Sequence, residues 1–136
     1  MSEESQSASV ATTLVGVFVA GGVGAIARVL LAGRVEQAVV ERLPFGGTLV
    51  VNLLGCLLIG VAAAAISATH WRDIVLGGLL GGFTTYSAFA LFTVALAQQQ
   101  RWGVLATQIG VHLVGGVLCV WAGFWIARVV GLGAAN

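Results

Sequence analysis

Apolar positions along this chain fall into four long runs, and the polar residues cluster in the short gaps between them. A helix crossing hydrocarbon takes about 20 predominantly apolar residues, and no run shows the alternation of a strand. The runs therefore predict four membrane spans at residues 10–31, 47–69, 74–96 and 103–130, forming one domain over residues 10–130. Residues 1–9 are polar and acidic without an apolar period, and are expected to form a disordered tail; residues 131–136 form a second tail. Between the first two runs Arg34, Glu36, Glu41 and Arg42 alternate in sign at helical spacing, which suggests a short surface helix or loop. Pro44, the sole proline, marks the entrance to span 2. The segments His70-Trp71-Arg72-Asp73 and Gln98 to Trp102 read as interfacial turns.

The third run departs from an ordinary span. Its centre, GGLLGGFTTYSAFALF, sets the pairs Gly77-Gly78 and Gly81-Gly82 directly before Thr84, Thr85, Tyr86, Ser87 and Phe89. Glycine is entropically costly inside a helix, and hydroxyl side chains can bond freed backbone groups, so a helix broken within the membrane is predicted. Unwound carbonyls at such a break can hold a cation, while the hydroxyl and aromatic groups beyond can line an ion path. The alternative is tight packing, since Gly77/Gly81 and Gly78/Gly82 both have GxxxG spacing. Elsewhere Asn52 must face protein or water, either bonding across a helix pair or lining a pore. Gln108 and His112, four apart, make a second polar stripe on span 4. Arg28, near the end of span 1, either snorkels to the headgroups or places a positive charge at a pore mouth.

Composition narrows the chemistry. The chain is 59% hydrophobic and 8% charged, with six Arg, no Lys, five acids and a net charge of +1. That balance gives no basic patch for nucleic acid. Cys56 and Cys119 lie in apolar runs without metal-ligand spacing, and read as small buried hydrophobes. The start lacks a basic segment and a cleavage site, so the first span is expected to direct insertion. No Asp, Glu or Lys falls within the four predicted spans, which argues against cation coupling through a membrane carboxylate. The remaining neutral donors (Asn52, Thr85, Tyr86, Ser87, Gln108 and His112), aromatic ring edges and Arg28 suit a small anion. No nucleophile, base and orienting acid come together, so no enzymatic site is expected.

Three ordered blocks then resemble a known family. GGVGAIAR (residues 21–28), GTLVVNLLG (47–55) and GGFTTYSAF (81–89) are similar to the GGxxGAxxR, GTLxVNxxG and GGxTTFSTF blocks of the small bacterial fluoride channels called Fluc or CrcB. The resemblance implies an all-α subunit of four transmembrane helices, the third broken mid-membrane, which pairs antiparallel with a copy of itself in a dual-topology dimer. It implies two narrow fluoride pores, a structural sodium ion at the dimer centre, and residence in the bacterial inner membrane, where fluoride passively leaves the cytoplasm and fluoride resistance results. By position, Asn52 looks like the pore-lining Asn and Phe89 like the second of two phenylalanines whose ring edges face fluoride. Arg28 resembles an arginine near the vestibule, and the carbonyls of Gly81 and Thr84 would hold sodium in both subunits. Thr85, Ser87, Tyr86 and His112 complete the expected pore set.

The chain departs from the family pattern at three positions. Tyr86 stands where the first phenylalanine is usual, Ala88 replaces a threonine, and His112 takes a span 4 position where serine is common. An unperturbed imidazole titrates near pH 6.5, so pH-dependent conduction is expected, with protonated His112 strengthening fluoride binding. The same departures leave room for a heterodimer. Arg28, Arg34, Arg42 and Arg101 on one side, against Arg72 and Arg128 on the other, are only a small charge bias, compatible with dual insertion. Two other readings compete: a small multidrug/proton antiporter, which needs a membrane glutamate, and a non-transporting scaffold that uses these residues for packing alone.

Overall fold

The computed structural model describes residues 3–39 and 43–132. The described residues are helical or in turns, and four helical stretches are long and apolar enough to cross a membrane. The protein is a multi-pass, all-α membrane protein. Helix α1 is Glu3–Val39 and α2 is Gly46–Ala65. Helix α3 covers residues 69–83 as three consecutive pieces, Thr69–Arg72, Asp73–Leu80 and Gly81–Phe83, of which the middle one is wound wider than an α-helix. Helix α4 is Tyr86–Gln98. Helix α5 spans Trp102–Val129, with a second wide-wound turn at Val111–Gly115.

Two boundaries differ from expectation. The helix extends back to Glu3, where a disordered tail is expected from residues 1–9, and forward to Val39 rather than stopping near Leu31. No proline interrupts either extension, and lengthening a formed helix avoids the cost of nucleation. The hydroxyls of Thr12 and Thr13 donate back to the Ala8 and Ser9 carbonyls at 2.9 and 3.0 Å. The separate surface helix expected around Arg34 and Glu36 is thus the end of α1; Glu41 and Arg42 lie outside the described residues, as do residues 133–136 of the expected C-terminal tail.

The second difference concerns the turn after α2, which falls at residues 66–68, so His70, Trp71 and Arg72 open α3 instead of closing span 2. Arg72 explains the sharp stop: its Nη1 donates to the carbonyls of Ala63 at 3.0 Å and Ile66 at 2.8 Å, capping the last turn of α2. Two later ends use left-handed residues. Gln100 at φ 55° closes α4, with the Arg101 N–H donating to Leu96 O, and Gly131 at φ 73° closes α5, with the Leu132 N–H donating to Ala127 O.

Glycine sets the packing. Helix α1 lies along α3, and α2 lies along the second half of α5. A Cβ on Gly24 of α1 would strike the Leu79 carbonyl and come within 2.9 Å of the Phe83 N, while one on Gly82 would strike the Gly21 carbonyl. At the other crossing, Gly60 meets the Val120 carbonyl and Gly123 the Leu57 carbonyl. Backbones at this separation gain dispersion contacts that larger side chains would prevent, the main source of helix association in lipid. Large apolar side chains such as Phe18 and Trp121, by contrast, point outward. We expect Gly24→Ala to lower the melting temperature in detergent, and Gly22→Ala, where nothing lies within 4 Å, to leave it unchanged or raise it slightly. Equal melting temperatures for the two variants would contradict this packing.

Candidate functional site

The glycine pairs themselves stay helical; the interruption falls just beyond them. Thr84 (φ −84°, ψ 160°) and Thr85 (φ −148°, ψ 109°) are extended between α3 and α4. In an unbroken helix the Thr85 N–H would donate to the carbonyl of Gly81, four residues back. Here it donates to Asn52 Oδ1 at 2.8 Å, while Asn52 Nδ2 donates to the Thr85 carbonyl at 3.1 Å. One amide side chain from α2 thus satisfies both backbone groups of Thr85 and fixes its own orientation, since reversal would oppose two donors.

The hydroxyls complete the junction. Thr84 Oγ1 donates to Leu80 O at 3.0 Å, which also accepts the Thr84 N–H. Thr85 Oγ1 caps α4 by accepting the Ala88 N–H at 3.2 Å, and it shares a 3.1 Å hydrogen bond with Ser87 Oγ. Capping by a threonine hydroxyl is worth about 1 kcal/mol and starts α4 at the required angle. The Ala88 N–H is thereby also diverted from its helical acceptor, the Thr84 carbonyl. The two carbonyls deprived of helical donors by these contacts are those of Gly81 and Thr84.

Beside the junction lies a cavity of about 290 Å³ bordered by Asn52, Thr84, Thr85, Tyr86, Phe89 and His112, with Gly55, Cys56, Ile59 and Leu113 completing its wall. Among the described residues, no acidic or basic side chain other than His112 lines it. Phe89 is the centre of a ring cluster: its centroid lies 5.6 Å from that of Tyr86 and 4.7 Å from that of His112. Phe92, three residues beyond Phe89 on α4, joins no ring pair among the described residues. Of the other expected site residues, Ser87 touches the cavity only through Thr85, while Arg28 and Gly81 do not border it. Arg28 is half-buried on α1, with its Nε enclosed and without a hydrogen-bond partner among the described residues.

Three supporting residues escaped the expected site set. Gln108 is fully buried, and its Nε2 donates to the Phe89 carbonyl at 3.0 Å and to Thr93 Oγ1 at 3.1 Å. Thr93 Oγ1 in turn donates to the Phe89 carbonyl at 2.8 Å. Phe45, buried directly after Pro44, sets its ring 6.3 Å from His112. Gln108 was visible in the sequence as a stripe with His112, but its contact with Phe89 crosses between helices and leaves no local pattern.

Sequence comparison places this arrangement. Residues 15–124 match the family described as CrcB-like protein, Camphor Resistance (CrcB). The chain belongs to the CrcB family. Curated relatives carry the name Fluoride-specific ion channel FluC. The one from Dichelobacter nodosus is 40% identical over 118 residues, covering 84% of this chain and 95% of the relative. The one from Sulfurovum sp. is 39% identical over 110 residues (79% and 84%), and that from Methylobacillus flagellatus 36% over 114 residues (79% and 88%). The family match over residues 15–124 takes in the junction and every residue lining the cavity.

The clamp makes a direct prediction. Asn52→Ala leaves the Thr85 N–H and carbonyl unpaired, at a cost of about 1–3 kcal/mol for each buried group. Hydrogen exchange in detergent should then be at least about tenfold faster at the Thr85 amide, the equivalent of about 1.4 kcal/mol. Unchanged exchange would mean that Asn52 does not hold the break.

Proposed function

We propose that this chain is a fluoride-selective channel subunit and not an enzyme, a multi-pass protein of the bacterial inner membrane through which fluoride passively leaves the cytoplasm, conferring fluoride resistance. The observation that carries this reading is a carboxylate-free cavity at a backbone break, lined by amide and hydroxyl groups and ring edges, in a chain whose relatives are named fluoride-specific channels. Asn52 uses one Nδ2 hydrogen on Thr85 and has a second to offer an anion. The edge of the Phe89 ring carries partial positive charge and offers weak attraction without trapping the ion. A narrow site of neutral donors suits a small, strongly hydrogen-bonding anion. A multidrug/proton antiporter would need a carboxylate where this cavity has none.

The reading includes a broken third span and an antiparallel, dual-topology dimer. Two features support them: the extended residues Thr84 and Thr85 sit within a stretch otherwise long enough to span, and Tyr86, at the cavity rim, is 79% exposed on the isolated subunit. Polar groups at a break cannot face lipid, so protein must cover this face. A second copy does so most simply; a related chain carrying phenylalanine in place of Tyr86 would form the heterodimer instead.

A sodium ion fits the same junction. The carbonyls of Gly81 and Thr84, freed by the Asn52 clamp and the Thr85 cap, are neutral oxygen donors of the kind a hard monovalent cation takes. When bound, it would supply a fixed positive charge between the two subunits, and the chain's own residues would do the rest. Asn52 holds the break open, Thr85 orients α4, and α4 presents Phe89 to the path.

Fluoride efflux from proteoliposomes tests the whole reading. Wild type is expected to release fluoride rapidly and chloride at least about a hundredfold more slowly, a discrimination of about 2.7 kcal/mol. Asn52→Asp, which sets a carboxylate against the anion, is expected to abolish release. No release from well-folded protein, alone or co-expressed with a related chain, would leave the packing scaffold as the explanation.

A further inference from the structure

His112 is built into this site in a way that fluoride binding through neutral donors does not require. It lies in the wide-wound turn Val111–Gly115 of α5, and its Nδ1 sits 2.9 Å from the backbone carbonyl of Gln108. A carbonyl only accepts, so Nδ1 carries the hydrogen, and neutral His112 holds a bare lone pair on Nε2. Nε2 is enclosed and has no hydrogen-bond partner among the described residues. Around it stand the rings of Phe89, at 4.7 Å between centroids, and Phe45, at 6.3 Å.

We infer that His112 is a proton-dependent element of the ion path: neutral, it presents an electron pair next to Phe89 and disfavours an anion there, and protonated, it sets a positive charge beside the same ring and favours one. The inference rests on the fluoride-path reading and adds a chemical state to it. The Phe89 ring lies within cation–π distance of the imidazolium, and the Gln108 carbonyl remains an acceptor for Nδ1–H in either state. Gln108 is therefore a positioning residue twice over, holding the Phe89 carbonyl with its side chain and the His112 imidazole with its backbone. The other titratable groups on this cavity are Cys56 from α2 and Tyr86 from α4. Among the described residues no Asp, Glu, Lys or Arg lines it, and Glu36 of α1 packs at Gly47. His112 is thus the group at this site that gains positive charge in mild acid.

The test measures fluoride efflux at pH 5, 6, 7 and 8, equal on both sides of the liposome. Release from protein-free liposomes is subtracted at each pH, because hydrogen fluoride crosses bilayers unaided. Wild-type flux is expected to rise as pH falls along a one-proton curve, by at most about tenfold per unit. His112→Ser and His112→Gln are expected to conduct without that slope. Wild-type flux that stays level with pH, while Asn52→Asp still blocks it, would overturn the proposal and leave the channel reading standing. Absence of flux at every pH, from this chain alone and co-expressed with a related chain, would overturn both. A second readout needs no conduction: nitrogen-15 resonance on lipid-embedded protein carrying His70→Gln, which removes the other histidine, is expected to find the neutral His112 proton on Nδ1. A proton on Nε2 would overturn the proposal.

Discussion

Hydrocarbon offers no hydrogen bonds, so every backbone amide and carbonyl set free within a span must find a partner in the protein. The structure turns on how that constraint is met at Thr84 and Thr85. A single side chain, Asn52, supplies a donor and an acceptor to the same residue, and Thr85 returns the service to α4 through its hydroxyl. Because helical hydrogen bonds run four residues back, each rerouted N–H leaves one identifiable carbonyl unclaimed. The clamp and the candidate cation ligands are therefore two aspects of one arrangement. Any change that repairs the helix would close both.

The clamp works only if α2 and the junction are held close, and glycine provides this. Gly55 sits where a Cβ would strike the Thr84 side chain, so the wall of α2 below Asn52 is open to the break. Gly24 and Gly82 bring α1 against α3 on the opposite side, while Gly60 and Gly123 lock α2 to α5. Small residues thus serve separate purposes along the chain: those at the crossings replace side-chain bulk with backbone contact, and Gly55 clears space for a functional turn. Their spacing alone does not distinguish these purposes. The identity of the atom opposite each glycine does.

Much of this was legible in the sequence for a physical reason: span number follows from hydropathy and length, and a cluster of hydroxyls behind paired glycines signals freed backbone. The position of the break was less legible. The paired glycines carry high helical entropy cost, yet they remain wound, with Gly78 and Gly82 packed closely on α1, and the chain departs from the helix at the threonines, where side chains can replace the lost bonds. Polar composition suggests a tail before α1 and a separate surface helix or loop after it, whereas a long helix extends through polar residues until something stops it. Arg72 was read as part of an interfacial turn; its role as a cap depends on the carbonyls of Ala63 and Ile66, which no pattern in the side chains records. Gln108 shows the same limit, since its partner Phe89 is nineteen residues away.

One feature of the isolated subunit constrains its assembly. Tyr86 and Ser87 are exposed at the start of α4, and Gly77 and Gly81 expose backbone on the same broken segment. Lipid tails would leave the freed carbonyls poorly paired, whereas the outward Phe18 and Trp121 meet lipid without cost. The two kinds of exposure call for different covers. The apolar one is the lipid face, and the polar one needs protein, so on the channel reading a single copy is an unfinished object. A cation held by the Gly81 and Thr84 carbonyls of one chain would have only two protein ligands, fewer than a hard cation takes, and a second copy presenting the same pair across a two-fold axis doubles them. The groups left unpaired within one chain are thus the ones that a symmetric partner would satisfy, and on the channel reading the demand for backbone pairing that shapes the break would also select the geometry of the proposed dimer.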